Sequence, residues 1–388
     1  MSGPKPRPDI LAITPYVPGN ARAKGFAHPI KLSANENPLG ASPAAKAAYR
    51  ATSDELHLYP DARASRLREA IAAKFTLSPD RLIFGCGSDE IFLLACITLI
   101  EPGDNIVQPE FGFAAWAIAA RAAGASVRSA PEDDFKVDVD ALLAAVDART
   151  RIVFVANPAN PTGTSVTFDQ IRRLHKKLRS DVLLLLDEAY AEFAVDFPGF
   201  ESGLSLAREA ENILVTRTFS KAYGLAALRV GWAYGAPSLI AAIERIRQPF
   251  NINRPAEAAA ATALSDDRFL QRSVAHVARW RPRYAEALSS AGFRPIASAT
   301  NFITFEIPSA SGWTATSFEA YLAEHGVIVR NLANYGMPNC LRITIGSDED
   351  SRMTLALIVT GRSGVASNRA ELHNRAGISQ TGDSTAQS

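Results

Sequence analysis

Residues 182–190 read VLLLLDEAY, and this stretch decides the fold. Its first five residues are apolar without alternation, which is typical of a strand buried on both faces of a parallel sheet. Two similar runs, IVFVA at 152–156 and ILV at 213–215, stand on either side of it, with helical stretches between them. Parallel strands need such crossover helices. The centre of the chain is therefore predicted to be a mainly parallel sheet covered by helices on both faces.

The alternation of helices and strands extends toward the N-terminus. The predicted elements are a helix at 64–74, a strand at 81–84, a helix at 90–100, a strand at 105–108 and a helix at 114–123. From about residue 281 the pattern changes to a helix followed by alternating strands at 301–307 and 341–345. This change indicates a second, smaller α+β domain.

Two domains fit a chain of 388 residues. We expect residues 46–281 to form the large domain with the main sheet. The small domain is expected to combine both chain ends, residues 1–45 and 282–360. Residues 361–388 lack an apolar face and are predicted to be a disordered tail.

Composition weighs against several classes of protein. Lys and Arg total 41 against 40 Asp and Glu, a net charge of +1, whereas DNA-binding proteins usually carry a basic excess. The longest uncharged apolar run, residues 91–100, has 10 residues, about half of what spans a bilayer. The N-terminus lacks a signal-peptide core, and the three cysteines and six histidines show no disulfide framework or metal motif. We expect a cytoplasmic protein with no metal, membrane or nucleic-acid partner.

A lysine follows the third apolar run directly, in the segment TRTFSKAYG at 216–224. Burial lowers the pKa of an amine and leaves it free to form a Schiff base with a carbonyl, so Lys221 is a candidate nucleophile. Thr218 and Ser220 supply hydroxyl donors, and Arg229 supplies a forked cation suited to phosphate. Taken alone, the motif is explained equally well by a lysine without a function at the start of a helix.

Polar residues also follow the other two apolar runs. Asp187 and Tyr190 come at the end of the run 182–186, and Asn160 lies in NPANPTG at 157–163. In parallel α/β sheets, ligands bind beyond the carboxyl ends of the strands. There Asp187 can pair with a protonated ring nitrogen, and Tyr190 can hydrogen-bond a ring hydroxyl. A helix cap at Asp187 and a proline-rich turn around Asn160 are the alternatives.

A fourth group, GCGSDE at 85–90, opens the helix after the strand at 81–84. Glycines and the first N–H groups of a helix cradle phosphate, here at Ser88 and Asp89, although an ordinary N-cap is the alternative. Phe111, just past the next strand, is either a ring-stacking aromatic or core. Chance caps and turns need not all fall at one edge of one sheet. A phosphate cradle, a stacking aromatic, a carboxylate, hydroxyl donors and an amine together describe pyridoxal 5′-phosphate.

The motifs resemble those of the fold-type I aminotransferases, specifically the histidinol-phosphate aminotransferase group. They follow one another in the order PYVPG (15–19), NENPLG (35–40), YPD (59–61), GSDE (87–90), NPTG (160–163), DEAY (187–190), SKAYGLAALRVG (220–231) and LRITIG (341–346). The resemblance covers most of the chain. It implies pyridoxal phosphate as the cofactor.

The resemblance also implies a role for each matched residue around the cofactor. Lys221 resembles the lysine that forms the Schiff base and moves a proton, and Asp187 resembles the partner of the ring nitrogen. Tyr190 and Asn160 resemble the groups that hold the ring oxygen. Phe111 occupies the stacking position, where close relatives often carry Tyr. The matches to the phosphate site are Ser88, Asp89, Thr218, Ser220 and Arg229.

Further matches concern the substrate and a second subunit. Arg342 resembles the arginine that grips a substrate carboxylate with a bidentate fork, and Asn35 lies close to the substrate in such proteins. Tyr16 and Arg330 are expected at the distal end, with Arg330 on the substrate phosphate, although a solvated surface arginine is equally compatible. Tyr59 resembles a residue that reaches the cofactor phosphate of the neighbouring subunit, which implies a homodimer with shared sites.

The implied reaction is that of a histidinol-phosphate:2-oxoglutarate aminotransferase of histidine biosynthesis, by a ping-pong route. Aromatic amino-acid aminotransferases and threonine-phosphate decarboxylases are built on similar frames, and the motifs do not distinguish them. An amino-acid-sensing regulator on this fold is an alternative of another class. The short proline-rich N-terminus, however, has no room for a helix-turn-helix domain.

Overall fold

The three apolar runs form the centre of a seven-stranded sheet in the computed structural model, which describes residues 3–361. The predicted tail, apart from residue 361, lies outside the described residues. The strands are β1 (Ile30–Lys31), β2 (Leu82–Cys86), β3 (Asn105–Pro109), β4 (Ser126–Ala130), β5 (Glu132–Asp133), β6 (Lys136–Val137), β7 (Thr150–Ala156), β8 (Leu183–Asp187), β9 (Ile213–Thr218), β10 (Val230–Gly235), β11 (Arg294–Pro295), β12 (Phe302–Glu306), β13 (Val327–Ile328), β14 (Arg330–Asn331) and β15 (Cys340–Thr344).

Helices connect most of these strands. They are α1 (Pro8–Leu11), α2 (Pro43–Arg50), α3 (Ser65–Phe75), α4 (Ser88–Leu99), α5 (Ala114–Ala122), α6 (Val139–Ala145), α7 (Phe168–Lys177), α8 (Leu204–Ala207), α9 (Pro237–Glu244), α10 (Arg254–Ser265), α11 (Asp267–Ser290), α12 (Ala315–Glu324) and α13 (348–361). Polar side chains cap several of their N-termini. At α7, for example, Thr167 accepts from the backbone of Gln170 and Gln170 reaches back to Thr167, a capping box that satisfies two N–H groups at the helix start.

The large sheet has the strand order β2-β10-β9-β8-β7-β3-β4. Its strands from β9 to β4 pair in parallel, whereas β10 runs antiparallel to both of its neighbours. The prediction of a mainly parallel sheet is therefore confirmed. The parallel register brings the ends of β7, β8 and β9 side by side, because Ala156 pairs with Asp187 and Asp187 pairs with Thr216.

The central strands are buried on both faces, as their unbroken apolar runs predict. Along β7 and β8, Val153 and Leu184 pack in the core on one face. Their neighbours Phe154 and Leu185 pack in the core on the other face. Alternate side chains of one strand therefore enter two separate apolar cores, and helices cover both.

A second sheet follows β10 in the chain. It is antiparallel, with the order β11-β12-β15-β14, and it shares a core with α11, α12 and Ile358 of α13. The N-terminal segment joins this region, because β1 pairs in parallel with β13. The predicted boundary at 281/282 lies inside the continuous helix α11, and the division into two domains remains a prediction.

Candidate active site

A cavity of about 560 Å³ lies at the carboxyl ends of the parallel strands, between the two sheets. Its wall contains all but two of the residues predicted for the site. These are Tyr16, Asn35, Ser88, Asp89, Asn160, Asp187, Tyr190, Thr218, Ser220, Lys221, Arg229, Arg330 and Arg342. Residues from the N-terminal segment, the parallel sheet and the antiparallel sheet thus converge on one space.

Lys221 projects into this cavity three residues after β9 ends at Thr218. Its amine lies 5.7 Å from the centre of the Tyr190 ring, and within residues 3–361 it makes no hydrogen bond or ion pair. Burial, with the nearby Arg342 cation, lowers the pKa of Lys221 to about 8. At that pH about half of such amines are neutral, and only the neutral amine is a nucleophile.

Asp187 ends β8 and is buried in the cavity wall. Its carboxylate accepts hydrogen bonds from Thr216 Oγ1 at 3.1 Å and from the backbone N–H of Ala189 at 3.2 Å. Burial raises the pKa of Asp187 to about 7 despite these two donors. In the described chain this carboxyl has no cationic partner, so a protonated ring nitrogen would stabilise its charged form.

Donors for an anion gather where α4 begins. Ser88 and Asp89 open this helix, whose first N–H groups have no partner within the helix. Arg229 Nη1 donates to Ser220 Oγ at 3.3 Å, and Arg229 Nη2 contacts Asp89 Oδ2 at 3.3 Å. A Cβ atom on Gly87 would stand 2.2 Å from Arg229 Nη2, so only glycine admits the guanidinium here.

Two arginines of the antiparallel sheet also line the cavity. Arg330 and Arg342 are register partners on β14 and β15, and each is 6% exposed. Arg342 donates to Asn160 Oδ1 and to the Ser33 carbonyl, and its Nε has no partner among the described residues. Arg330 donates to the Val17 carbonyl at 2.7 Å. Its burial rules out the alternative of a solvated surface arginine.

Tyr190 and Asn35 contact each other in the cavity wall, where both are buried. The Asn35 side-chain amide donates to the Tyr190 hydroxyl at 2.8 Å. Burial raises the pKa of Tyr190 to about 12, so its hydroxyl keeps its proton at neutral pH. Asn35 has a φ of +56°, a left-handed conformation in which asparagine is tolerated better than most residues.

Two predicted residues do not line the cavity. Phe111 packs against Phe135 with ring centres 5.7 Å apart, and it is Phe113 that lines the cavity, in edge contact with Tyr16. Tyr59 is 79% exposed and stacks on Phe250 outside the cavity. The stacking role of Phe111 and the intersubunit role of Tyr59 therefore remain predictions.

Comparison with known proteins places these motifs in one family. The family model described as aminotransferase class I and II matches residues 27–358. The chain belongs to the class I and II aminotransferase family. The resemblance predicted from the motifs is thereby confirmed.

Individual members of the family are similar over nearly their whole length. The chain is 54% identical to histidinol-phosphate aminotransferase 1 of Caulobacter vibrioides, covering 91% of this chain and 98% of the relative. It is 46% identical to histidinol-phosphate aminotransferase of Maricaulis maris, covering 92% and 98%. The crystal structure of the Sinorhizobium meliloti histidinol-phosphate aminotransferase in complex with pyridoxal-5′-phosphate superposes with a TM-score of 0.85 at 26% identity, covering 94% of this chain and 99% of the other.

Several residues that line the cavity are not predicted by the sequence motifs. Ser33, Phe113 and Tyr335 all line the cavity. The ring centre of Tyr335 lies 5.8 Å from the guanidinium carbon of Arg330. Phe113 lies two residues after Phe111 in the same loop, and no local pattern indicates which of the two aromatic rings faces the cavity.

Proposed function

We propose that this protein is a pyridoxal-phosphate-dependent histidinol-phosphate:2-oxoglutarate aminotransferase. The observation that carries the proposal is one cavity that holds the unpaired amine of Lys221, the buried carboxyl of Asp187 and two buried arginines. The relatives from Caulobacter vibrioides and Maricaulis maris, both histidinol-phosphate aminotransferases, support the choice of substrate.

The residues present fit pyridoxal phosphate. The cofactor phosphate would lie at the start of α4, with the backbone N–H groups of Ser88 and Asp89 and the side chains of Ser220 and Arg229 as donors. The close approach of Arg229 to Gly87 supports this position, because a side chain at residue 87 would fill the cradle. Thr218 donates to Ser220 Oγ at 3.0 Å and would orient it.

The ring would lie between this cradle and Arg342. When bound, pyridoxal phosphate serves as an electron sink and carries the amino group between substrates. Asp187 would hold a proton on the ring nitrogen, and the pairing would return its raised pKa toward the ordinary range. The Tyr190 hydroxyl and the Asn160 amide would hold the ring oxygen. The Asn160 oxygen already accepts from Arg342, so its N–H groups remain free to donate.

Lys221 would act twice in each half-reaction. Its neutral amine would hold the cofactor when no substrate is bound, and its Nζ would move a proton between the substrate and cofactor carbons during the reaction. The lowered pKa of Lys221 suits both tasks near pH 8. The cofactor would keep the amino group between the two half-reactions, so the first product would leave before the 2-oxo acid binds, and this order is the ping-pong route.

The two buried arginines would each bind a different anionic group of the substrates. Arg342 has an unpartnered Nε and faces the cofactor region, so it would bind a carboxylate of 2-oxoglutarate or glutamate. Arg330 would bind the phosphate of histidinol phosphate, with Tyr16 beside it at the cavity mouth. Histidinol phosphate has no α-carboxylate, so the demands on Arg342 and Arg330 differ between the two half-reactions.

We also propose a cytoplasmic homodimer. Tyr59 is highly exposed and lies in a loop with exposed Leu56 and Leu58, which suits a surface covered by a second subunit. Across such an interface Tyr59 would reach the partner's cofactor phosphate.

Within each subunit, residues 46–281 would form the large domain, and residues 1–45 with 282–360 would form the small one. In the described residues no helix is long and apolar enough to cross a membrane.

The proposal is tested with purified protein, pyridoxal phosphate, histidinol phosphate and 2-oxoglutarate. Glutamate formation is followed, and the wild type is compared with Arg330→Gln and, as a matched control, Arg283→Gln. Arg283 lies on α11 against the face of Trp280 and outside the cavity. We expect Arg330→Gln to raise KM for histidinol phosphate at least tenfold and Arg283→Gln to leave it unchanged. Absence of glutamate formation by the wild type would refute the proposal.

A further inference from the structure

A chain of hydrogen bonds runs from the backbone of Asn35 to the hydroxyl of Tyr190 by way of Thr344. The Asn35 backbone N–H donates to Thr344 Oγ1 at 2.9 Å, and Thr344 Oγ1 donates to Asn35 Oδ1 at 3.3 Å. The Asn35 Nδ2 group then donates to the Tyr190 hydroxyl at 2.8 Å. Thr344 ends β15, the strand that also carries Arg342.

Each direction in this chain is dictated by chemistry. A backbone N–H only donates, so it occupies a lone pair of the Thr344 hydroxyl and leaves the hydroxyl proton free. That proton needs an acceptor, and Asn35 Oδ1 is the one in reach. With Oδ1 turned toward Thr344, the NH₂ group of Asn35 must face Tyr190. Tyr190 therefore accepts from Asn35, and its own proton points elsewhere.

The three side chains are closed off from solvent. Asn35, Thr344 and Tyr190 are 2%, 3% and 3% exposed. Asn35 and Tyr190 border the cavity, but so little of each side chain is exposed that the loss of a hydrogen-bond partner is costly. The backbone of Asn35 is also fixed, because Asn301 Nδ2 donates to its carbonyl at 3.0 Å. The chain thus has one satisfied arrangement.

We infer that Thr344 is a positioning residue that directs the Tyr190 hydroxyl proton into the cavity. This inference rests on the proposed function, in which the ring oxygen of pyridoxal phosphate accepts that proton. Thr344 is not one of the residues that line the cavity, so it is in contact with neither the cofactor position nor the substrate position. It acts only through the amide of Asn35, by deciding which end of that amide faces Tyr190.

Removing the Thr344 hydroxyl releases the amide of Asn35. Its oxygen then has no donor except Tyr190, so the amide turns and takes the Tyr190 proton away from the cavity. A hydrogen bond to the ring oxygen stabilises the negative charge on that oxygen. The stabilised oxygen attracts the proton on the neighbouring Lys221 nitrogen less strongly, so the pKa of that nitrogen is lower. Losing that hydrogen bond therefore raises the pH at which the bound cofactor changes its absorbance. The variant changes none of the titratable and charged groups that act on Tyr190 and Lys221, which are Tyr16, Asp89, Asp187, Arg229 and Arg342.

The test is a pH titration of the visible absorbance of the holoenzyme, without substrate. We expect Thr344→Val to raise the midpoint by about 0.5 to 1 pH unit, the equivalent of one neutral hydrogen bond. Thr344→Ser keeps the hydroxyl and should return the midpoint to within about 0.2 units of the wild type. Thr344→Ala removes the same hydroxyl and serves the same comparison if the valine variant does not fold.

Two controls separate positioning from general damage. In a Tyr190→Phe background, Thr344→Val should add no further shift, because the proton it directs is gone. Thr300→Val removes a buried hydroxyl that bonds only within its own turn, to Ser298 and Phe302, and should leave the midpoint unchanged. A shift that persists in the Tyr190→Phe background, or no shift in Thr344→Val, would overturn the inference. A wild type that binds no pyridoxal phosphate would instead refute the proposed function.

Discussion

Asp187→Asn is expected to stabilise the cofactor-free protein while weakening its hold on the cofactor. The carboxyl of Asp187 is buried and has no cationic partner among the described residues. Its pKa is raised by burial to about 7 from an ordinary 3.8, so at neutral pH and above the folded protein carries the cost of a buried charge. Asparagine has nearly the same shape and never ionises.

The magnitude follows from the shift in pKa. A folded pKa above the unfolded one means that the penalty is absent below about pH 4, grows as the pH rises, and is complete above about pH 7. The difference of roughly 3 pH units corresponds to at most about 4 kcal/mol. We expect Asp187→Asn to raise the free energy of unfolding of the cofactor-free protein by up to about 4 kcal/mol at pH 8 but only about 1.5 kcal/mol at pH 5.

The assay is urea unfolding of cofactor-free wild type and variant at pH 5, 6, 7 and 8, paired with cofactor titration at pH 8. The gain in stability should increase with pH and level off above about pH 7. The same variant should bind pyridoxal phosphate at least tenfold more weakly, because the partner of the ring nitrogen is lost. A gain that does not depend on pH, or a loss of stability at pH 8, would refute the reasoning.

Three further substitutions test other parts of the account. Lys221→Ala should abolish transamination and leave no covalent adduct after borohydride reduction, as read by mass spectrometry; retained activity would contradict the mechanism. Arg342→Lys should raise KM for 2-oxoglutarate at least tenfold and change KM for histidinol phosphate less, because the bidentate fork is lost. Equal changes in the two KM values, measured by steady-state kinetics, would contradict that role. Arg217→Leu should lower the free energy of unfolding by about 3–5 kcal/mol in urea, since it leaves the fully buried Glu188 without its cation at 2.8 Å; a loss below about 1 kcal/mol would contradict it.

The sequence predicts the central sheet because a strand that is buried on both faces has apolar residues at every position. Residues 152–156 and 182–186 are apolar at every position, and alternate members enter two different cores. The position of the polar residues after these runs is predictable for a related reason. Parallel strands end at the same edge, so a parallel sheet predicts Asp187 and Lys221 at that edge, and both line the cavity there.

The sequence does not predict contacts that depend on the pairing of distant segments. The antiparallel strand β10 lies between β9 and β2, and no local pattern indicates that insertion. Asn35 and Thr344 are 309 residues apart, yet two hydrogen bonds between them hold Asn35 in place in the cavity wall. The choice of Phe113 over Phe111 as a cavity-lining ring depends on the path of a loop. These features follow from tertiary packing, which composition and periodicity do not record.

The central claim is that this chain is selective for histidinol phosphate, and the ratio of kcat/KM values among amino donors tests it most directly. Histidinol phosphate and phenylalanine are compared with 2-oxoglutarate as acceptor, and threonine phosphate is assayed alongside for release of CO₂. Because Arg330 lines the cavity and is proposed to bind the substrate phosphate, we predict that kcat/KM for histidinol phosphate exceeds that for phenylalanine at least a hundredfold, roughly 3 kcal/mol of transition-state binding. We expect no CO₂ from threonine phosphate. Faster turnover of phenylalanine, or decarboxylation of threonine phosphate, would contradict the account.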